Sequence, residues 1–213
     1  MASKDIYSKL IKDKCSHNNK SKNYWKIKLQ LENITWDSVF CKAFGNKLVP
    51  RKISDFNWRV FYGIVPVENR LKAMRKSDGI CKLCNEELEN MEHMLFTCIK
   101  LENLWEKTSA LVNKIFGTVL TITYRDVILG LEPSSNIEPS DVINMSIFCC
   151  KWIIWLRRNT FVFENILQDS NWLWRNFQHV LNEHVLTIVR SKVVKKKEKG
   201  TMDALLVLKD NVL

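Results

Sequence analysis

Four potential soft-metal ligands fall within 18 residues: Cys81, Cys84, His93 and Cys98, spaced Cys-x2-Cys-x8-His-x4-Cys. Two cysteines separated by two residues can reach one ion from a tight knuckle. The Lys82-Leu83 pair between them turns backbone amides towards the thiolates. Such compensation is needed, because three thiolates around a divalent zinc leave a net negative charge. A Cys3His set is tetrahedral and closed, with no open position for water, so the zinc it implies is structural rather than catalytic. Binding would contribute on the order of 10 kcal/mol to folding of the segment. The competing reading is three thiols and a histidine packed in a reduced core. The other four cysteines, Cys15, Cys41, Cys149 and Cys150, show no such grouping. Cys149-Cys150 reads as two small core residues, and His17, His179 and His184 as surface or core histidines.

The elements that must position this set read as helices. Apolar residues recur at helical spacing in Ser3–Lys14, Tyr24–Leu31, Trp36–Phe44, Ser54–Tyr62 (with Ser54 as N-cap), Glu68–Arg75 and Cys98–Phe116, the last stopped by Gly117. Gly45–Arg51 is a basic turn containing Pro50. Thr121-Ile122-Thr123-Tyr124 is β-prone and leaves room for one short strand or hairpin. Pro133–Pro139 reads as a linker. A long helix over about Asp141–Glu164 is apolar nearly all round and therefore buried. Its most apolar part, Val142–Leu156, is too short to span a membrane and carries Lys151. Ser170 caps a last helix, about Asn171–Val193. With 6 Gly and 4 Pro in 213 residues, a many-stranded fold is excluded. The expectation is an all-α, irregular multi-helix domain of about seven to nine helices around a small CCHC knuckle. Its parts are 1–52 (basic and helical), 53–117 (helix plus metal region), 118–193 (helical) and 194–213 (basic tail).

The formal charge is +10, from 33 Lys+Arg and 23 Asp+Glu. It is uneven: residues 1–80 carry 17 basic and 7 acidic side chains, whereas 81–130 carry 5 and 7. A second basic run, Arg190, Lys192, Lys195, Lys196, Lys197 and Lys199, reads first as a solvated tail. Basic residues between 42 and 76 are interleaved with Phe56, Trp58, Phe61 and Tyr62, the combination that neutralises phosphate and stacks bases. The helical spacing of Phe56 and Phe61 favours core for both. Arg59, Arg70, Lys72, Arg75, Lys76 and Lys82 are the candidate nucleic-acid contacts. Four of these lead directly into Cys81, so a folded knuckle would hold them in place. Glu86–Glu92 reads as a solvated acidic loop facing away. No export signal is visible at Met1–Leu10. The expectation is an intracellular protein of nucleus or cytoplasm, with reduced thiols and no membrane span.

The residues around the ligands resemble the reverse-transcriptase zinc-binding region found near the C-terminus of LINE-type (non-LTR) retrotransposon polyproteins. Phe56, Trp58-Arg59, Pro66, Leu71, Cys81 and Cys84 stand at the family's positions. So do Glu89 to Cys98, with His93 between them, and Leu104-Trp105. Asn90 replaces the usual Thr or Ser, and Met94-Leu95 replaces Leu-Phe. Weaker similarity extends to Ile6-Tyr7, Trp25, Trp36, Ile128-Leu129-Gly130 and Lys151-Trp152. The resemblance implies a structural zinc and a role beside a polymerase in binding template RNA or target DNA. The chain of 213 residues has no room for the polymerase itself, and no Asp-Asp dyad, Ser-His-Asp grouping or phosphate loop is present. The reading is therefore a zinc-stabilised RNA- or DNA-binding domain that is not an enzyme, with the parent polyprotein as a further partner. The alternatives are a zinc-stapled protein-interaction domain docking through Trp152, Trp155, Trp172 and Trp174, and a decayed retroelement fragment.

Overall fold

The computed structural model describes residues 19–31, 46, 48–101, 103–131, 140–191 and 199–212. The helices expected at Ser3–Lys14 and Trp36–Phe44, the linker at Pro133–Pro139 and the lysines at 192–197 lie outside them. Eight α-helices occur among the described residues: Asn19–Lys28 (α1), Arg51–Phe61 (α2), Glu68–Ala73 (α3), Leu104–Phe116 (α4), Tyr124–Leu129 (α5), Ser140–Glu164 (α6), Ser170–Ser191 (α7) and Lys199–Val212 (α8). A π-turn at His93–Thr97 and a 3-10 turn at Ile99–Leu101 lead into α4. The described residues contain no strand, only one antiparallel bridge between Ile80 and Leu88. The architecture is all-α.

The centre is α6. Every residue from Val142 to Lys151 is buried, the polar Asn144, Ser146 and Lys151 included, as a helix apolar nearly all round requires. Helices α2, α4, α5, α7 and α8 and the π-turn all pack on it. Phe56 of α2 is buried and stacks on Trp155 at 5.5 Å, with Trp152 edge-on at 5.7 Å. Phe61 is buried too, and its carbonyl accepts the indole N–H of Trp25 at 2.7 Å. Trp174 packs on Phe177 in α7. The tryptophans offered as a docking face are thus half-buried against the core.

Several local expectations change. Helix α2 begins at Arg51, with Pro50 rather than Ser54 at its N-cap: the Pro50 carbonyl accepts the first bonds, from the amides of Ile53 and Ser54. The β-prone stretch yields to a capping box. Thr123 accepts from the Asp126 amide, and Asp126 accepts from the Thr123 amide at 2.9 Å, which starts α5. The helix expected from Cys98 starts only at Leu104, because Cys98 is extended and Asn103 is left-handed at φ +58. The end of the chain is not simply a tail. Helix α8 packs on α7 and buries Ala204, Leu205 and Leu208. Helical spacing brings Leu205 and Leu208 onto one face. Leu205→Ala is expected to lower unfolding free energy by about 2–5 kcal/mol, as a buried leucine does. Urea denaturation reads this directly, and an unchanged midpoint would return the segment to a solvated tail.

Candidate metal centre and basic face

The knuckle is built by a tight reversal. The Cys81 amide donates to the Glu87 carbonyl at 2.8 Å, and the Glu89 amide donates to the Gly79 carbonyl at 2.9 Å. Within it the Asn85 amide reaches the Cys81 carbonyl at 2.8 Å, with Asn85 left-handed at φ +59. This turn puts Cys81 and Cys84 on the same side. The other two candidate ligands come from the π-turn, where the Cys98 amide bonds the His93 carbonyl at 3.0 Å. An i to i+5 closure sets residue 98 over residue 93, which an ordinary α-turn does not.

The ligand atoms of Cys81, Cys84, His93 and Cys98 all lie within 4.8 Å of one another. Cys81 Sγ is 3.9 Å from Cys98 Sγ, and Cys84 Sγ is 3.3 Å from His93 Nε2. Tetrahedral zinc, with Zn–S about 2.3 Å and Zn–N about 2.0 Å, holds neighbouring donors roughly 3.5–3.8 Å apart. The set therefore fits a tetrahedral metal site. Its surroundings fit as well. The amides of Leu83 and Cys84 face Cys81 Sγ, and the Lys100 amide faces Cys98 Sγ. The hydrogen bond between Cys81 and Cys98 raises the first thiol and lowers the second. His93 Nδ1 lies 3.1 Å from Glu87 Oε2, which leaves Nε2 facing the sulfurs. A carboxylate behind a ligating imidazole fixes its tautomer and raises its basicity. Asn90 Oδ1 accepts the His93 amide at 2.8 Å and caps the π-turn.

Glu89 is not solvated. It is fully buried, as are Glu68 and Arg158. The Arg158 guanidinium donates to Glu89 Oε1 at 2.8 Å and to Glu68 Oε1 at 2.7 Å. The Glu68 amide and Ser77 Oγ complete the cluster by donating to Glu89 Oε1 and Glu68 Oε2. This ties the metal loop and α3 to α6. Sequence reasoning missed it, although an Arg157-Arg158 pair on a helix apolar nearly all round is a signal. Burial also takes Lys151 of α6 down to about 7, beneath the Phe148 ring at 5.0 Å. Cys149 and Cys150 are buried core thiols. Burial raises both, Cys149 to about 12. His179 is exposed, and His184 Nε2 meets the Leu48 carbonyl.

The basic candidates differ in their partners, and Lys72 and Lys82 lie at the knuckle itself. Arg59 pairs with Asp55 at 2.9 Å, and Lys82 with Asp78 at 2.9 Å, both exposed i,i+4 pairs. Arg70 donates to the Gly63 carbonyl. Lys72 is exposed, yet its stem lies across Gly79: a Cβ there would sit 2.7 Å from Lys72 Cδ. Gly79, at φ +87, thus admits both the turn and the lysine. Arg75 and Lys76 are exposed in the C-terminal turn of α3. There the Lys76 amide bonds the Leu71 carbonyl at 2.9 Å, a Schellman closure with Arg75 left-handed at φ +58 where glycine is usual.

A helical domain with a candidate Cys3His metal site is the class these features define. Residues 2–105 match the model of the family described as zinc-binding in reverse transcriptase, so this part of the chain is similar to that family. All four candidate ligands and the basic candidates fall inside the match. No curated protein and no solved structure matches the chain. Among the described residues no helix is long and apolar enough to cross a membrane.

The buried ion cluster yields a test. Arg158→Met removes the guanidinium that bridges the two buried carboxylates. It should cost about 3–5 kcal/mol of stability in urea unfolding, the usual consequence of leaving a buried charge unpaired. A loss below about 1 kcal/mol would show that water compensates the carboxylates.

Proposed function

We propose that Cys81, Cys84, His93 and Cys98 hold one structural Zn2+, and that the basic face fixed by this site binds RNA or DNA without polymerase activity of its own. The protein would act in the nucleus or cytoplasm, alongside or derived from a retroelement reverse transcriptase. The chain's own residues give the site its character. Three sulfurs and Nε2 close a tetrahedron, three backbone amides offset thiolate charge, and Glu87 orients His93. No side chain of the set is left to activate water.

The observation that carries the binding reading is how α3 is anchored. The Asn69 amide donates to the Glu89 carbonyl at 3.0 Å, and Lys72 packs across Gly79. The helix bearing Arg70 and Lys72, with Arg75 and Lys76 in the turn that closes it, is therefore built onto the metal loop. An arginine in the left-handed region costs about 1–2 kcal/mol that glycine would avoid, so Arg75 brings charge at the expense of stability. Arg59 and Lys82, already paired with carboxylates, are the weaker candidates of the six.

Native mass spectrometry should find one zinc per chain. Glu87→Gln should weaken zinc about 10- to 100-fold in a chelator competition. An apo mass in metal-replete buffer would contradict the site. Changing Arg70, Lys72, Arg75 and Lys76 together to Gln should weaken nucleic-acid binding. It should also reduce the duplex salt slope by about 3 to 4, roughly one for each phosphate no longer neutralised. Fluorescence anisotropy across a salt series reads both, and an affinity indifferent to salt would favour a protein-interaction domain.

A further inference from the structure

A cleft of about 540 Å³ opens beside the basic helix, lined among others by Tyr24 and Trp25 of α1, Tyr62 after α2, Asn69 and Arg70 of α3, and Asn90 of the metal loop. Its volume lies in the range of small-molecule sites, about 300–1,000 Å³. We propose that it takes a nucleobase from a single-stranded stretch of RNA or DNA. The proposal rests on the nucleic-acid reading above and names its substrate class.

The lining supplies what an unpaired base needs. Tyr24 is 51% exposed and presents an aromatic face. Trp25, 1% exposed, is held by its bond to the Phe61 carbonyl, so that wall is rigid. The aromatic surface continues outward, where Tyr62 packs against the exposed Trp58 ring at 4.7 Å. Polar groups stand beside these rings. Asn90 Oδ1 is taken by the His93 amide, which leaves the Asn90 Nδ2 group as a donor. Asn69 adds a second carboxamide. Carboxamides match the donor–acceptor pairs on base edges. Arg70 bonds the Gly63 carbonyl and still carries its charge at the cleft. A duplex keeps its bases stacked and paired, so such a cleft selects unpaired strands. The excess charge of residues 1–80, 17 basic against 7 acidic, favours a polyanion over a peptide.

The test uses the full zinc-loaded chain, a fluorescent oligothymidylate and a duplex of equal length. Tyr24→Ala should weaken single-strand binding about 5- to 150-fold, the range for losing one base–aromatic stack. Tyr24→Phe should restore it, and neither should change duplex affinity. Circular dichroism of the half-exposed variant checks its fold. Unchanged single-strand affinity in Tyr24→Ala, or an equal loss for both strands, would overturn the cleft assignment. If the quadruple Gln variant still loses affinity in that case, nucleic-acid binding itself stands. If the wild-type chain binds neither probe, both readings fall together.

Discussion

Three cysteine sulfurs and an imidazole nitrogen within 4.8 Å of one another cannot all turn lone pairs inward unless protons or a cation lie between them. The rest of the knuckle is arranged around this constraint. Amides of Leu83, Cys84 and Lys100 point at sulfur. Glu87 holds the far nitrogen of His93, and the π-turn stacks Cys98 over His93. The left-handed Asn85 and Gly79 make the reversal tight enough to bring Cys81 and Cys84 together.

The constraint spreads beyond the knuckle by two routes. One is ionic: Arg158, deep in α6, grips Glu89 of the metal loop and Glu68 at the start of α3. Buried ion pairs are weak evidence for stability but effective at fixing which surfaces meet, and here they fix the loop against the central helix. The other route is steric and backbone-based, through Lys72 over Gly79 and the Asn69 amide on Glu89. Trp105 adds an anchor at the far end of the π-turn, its indole N–H bonding the Leu95 carbonyl at 2.8 Å. The basic helix is therefore an extension of the metal site rather than a separate element.

What the sequence disclosed follows from which signals are local. The clustering of Cys81, Cys84, His93 and Cys98 was legible because metal chemistry dictates residue type and spacing. Helix α6 was legible because an apolar run of that length has to be buried, and Phe56 and Phe61 because their spacing puts them inside. Features set by partners distant in sequence were not legible. Glu89 looked solvated, since its partner stands 69 residues away. The start of α4 slipped to Leu104 because Cys98 must leave helical geometry to present its sulfur. The β-prone run at 121–124 yields to a capping box whose acceptor, Asp126, stands three residues after Thr123. The final helix was obscured by the lysines before it, although Leu205 and Leu208 carry a helical period.

The central claim is that the metal orders the basic helix. Hydrogen exchange of the Leu71, Met74 and Lys76 amides, measured with zinc bound and after its removal by a chelator, tests it most directly. The account predicts that these amides lose protection together with the amides of Cys81, Met94 and Cys98 when the metal leaves. Protection of residues 71–76 that survives while the knuckle amides open would contradict it.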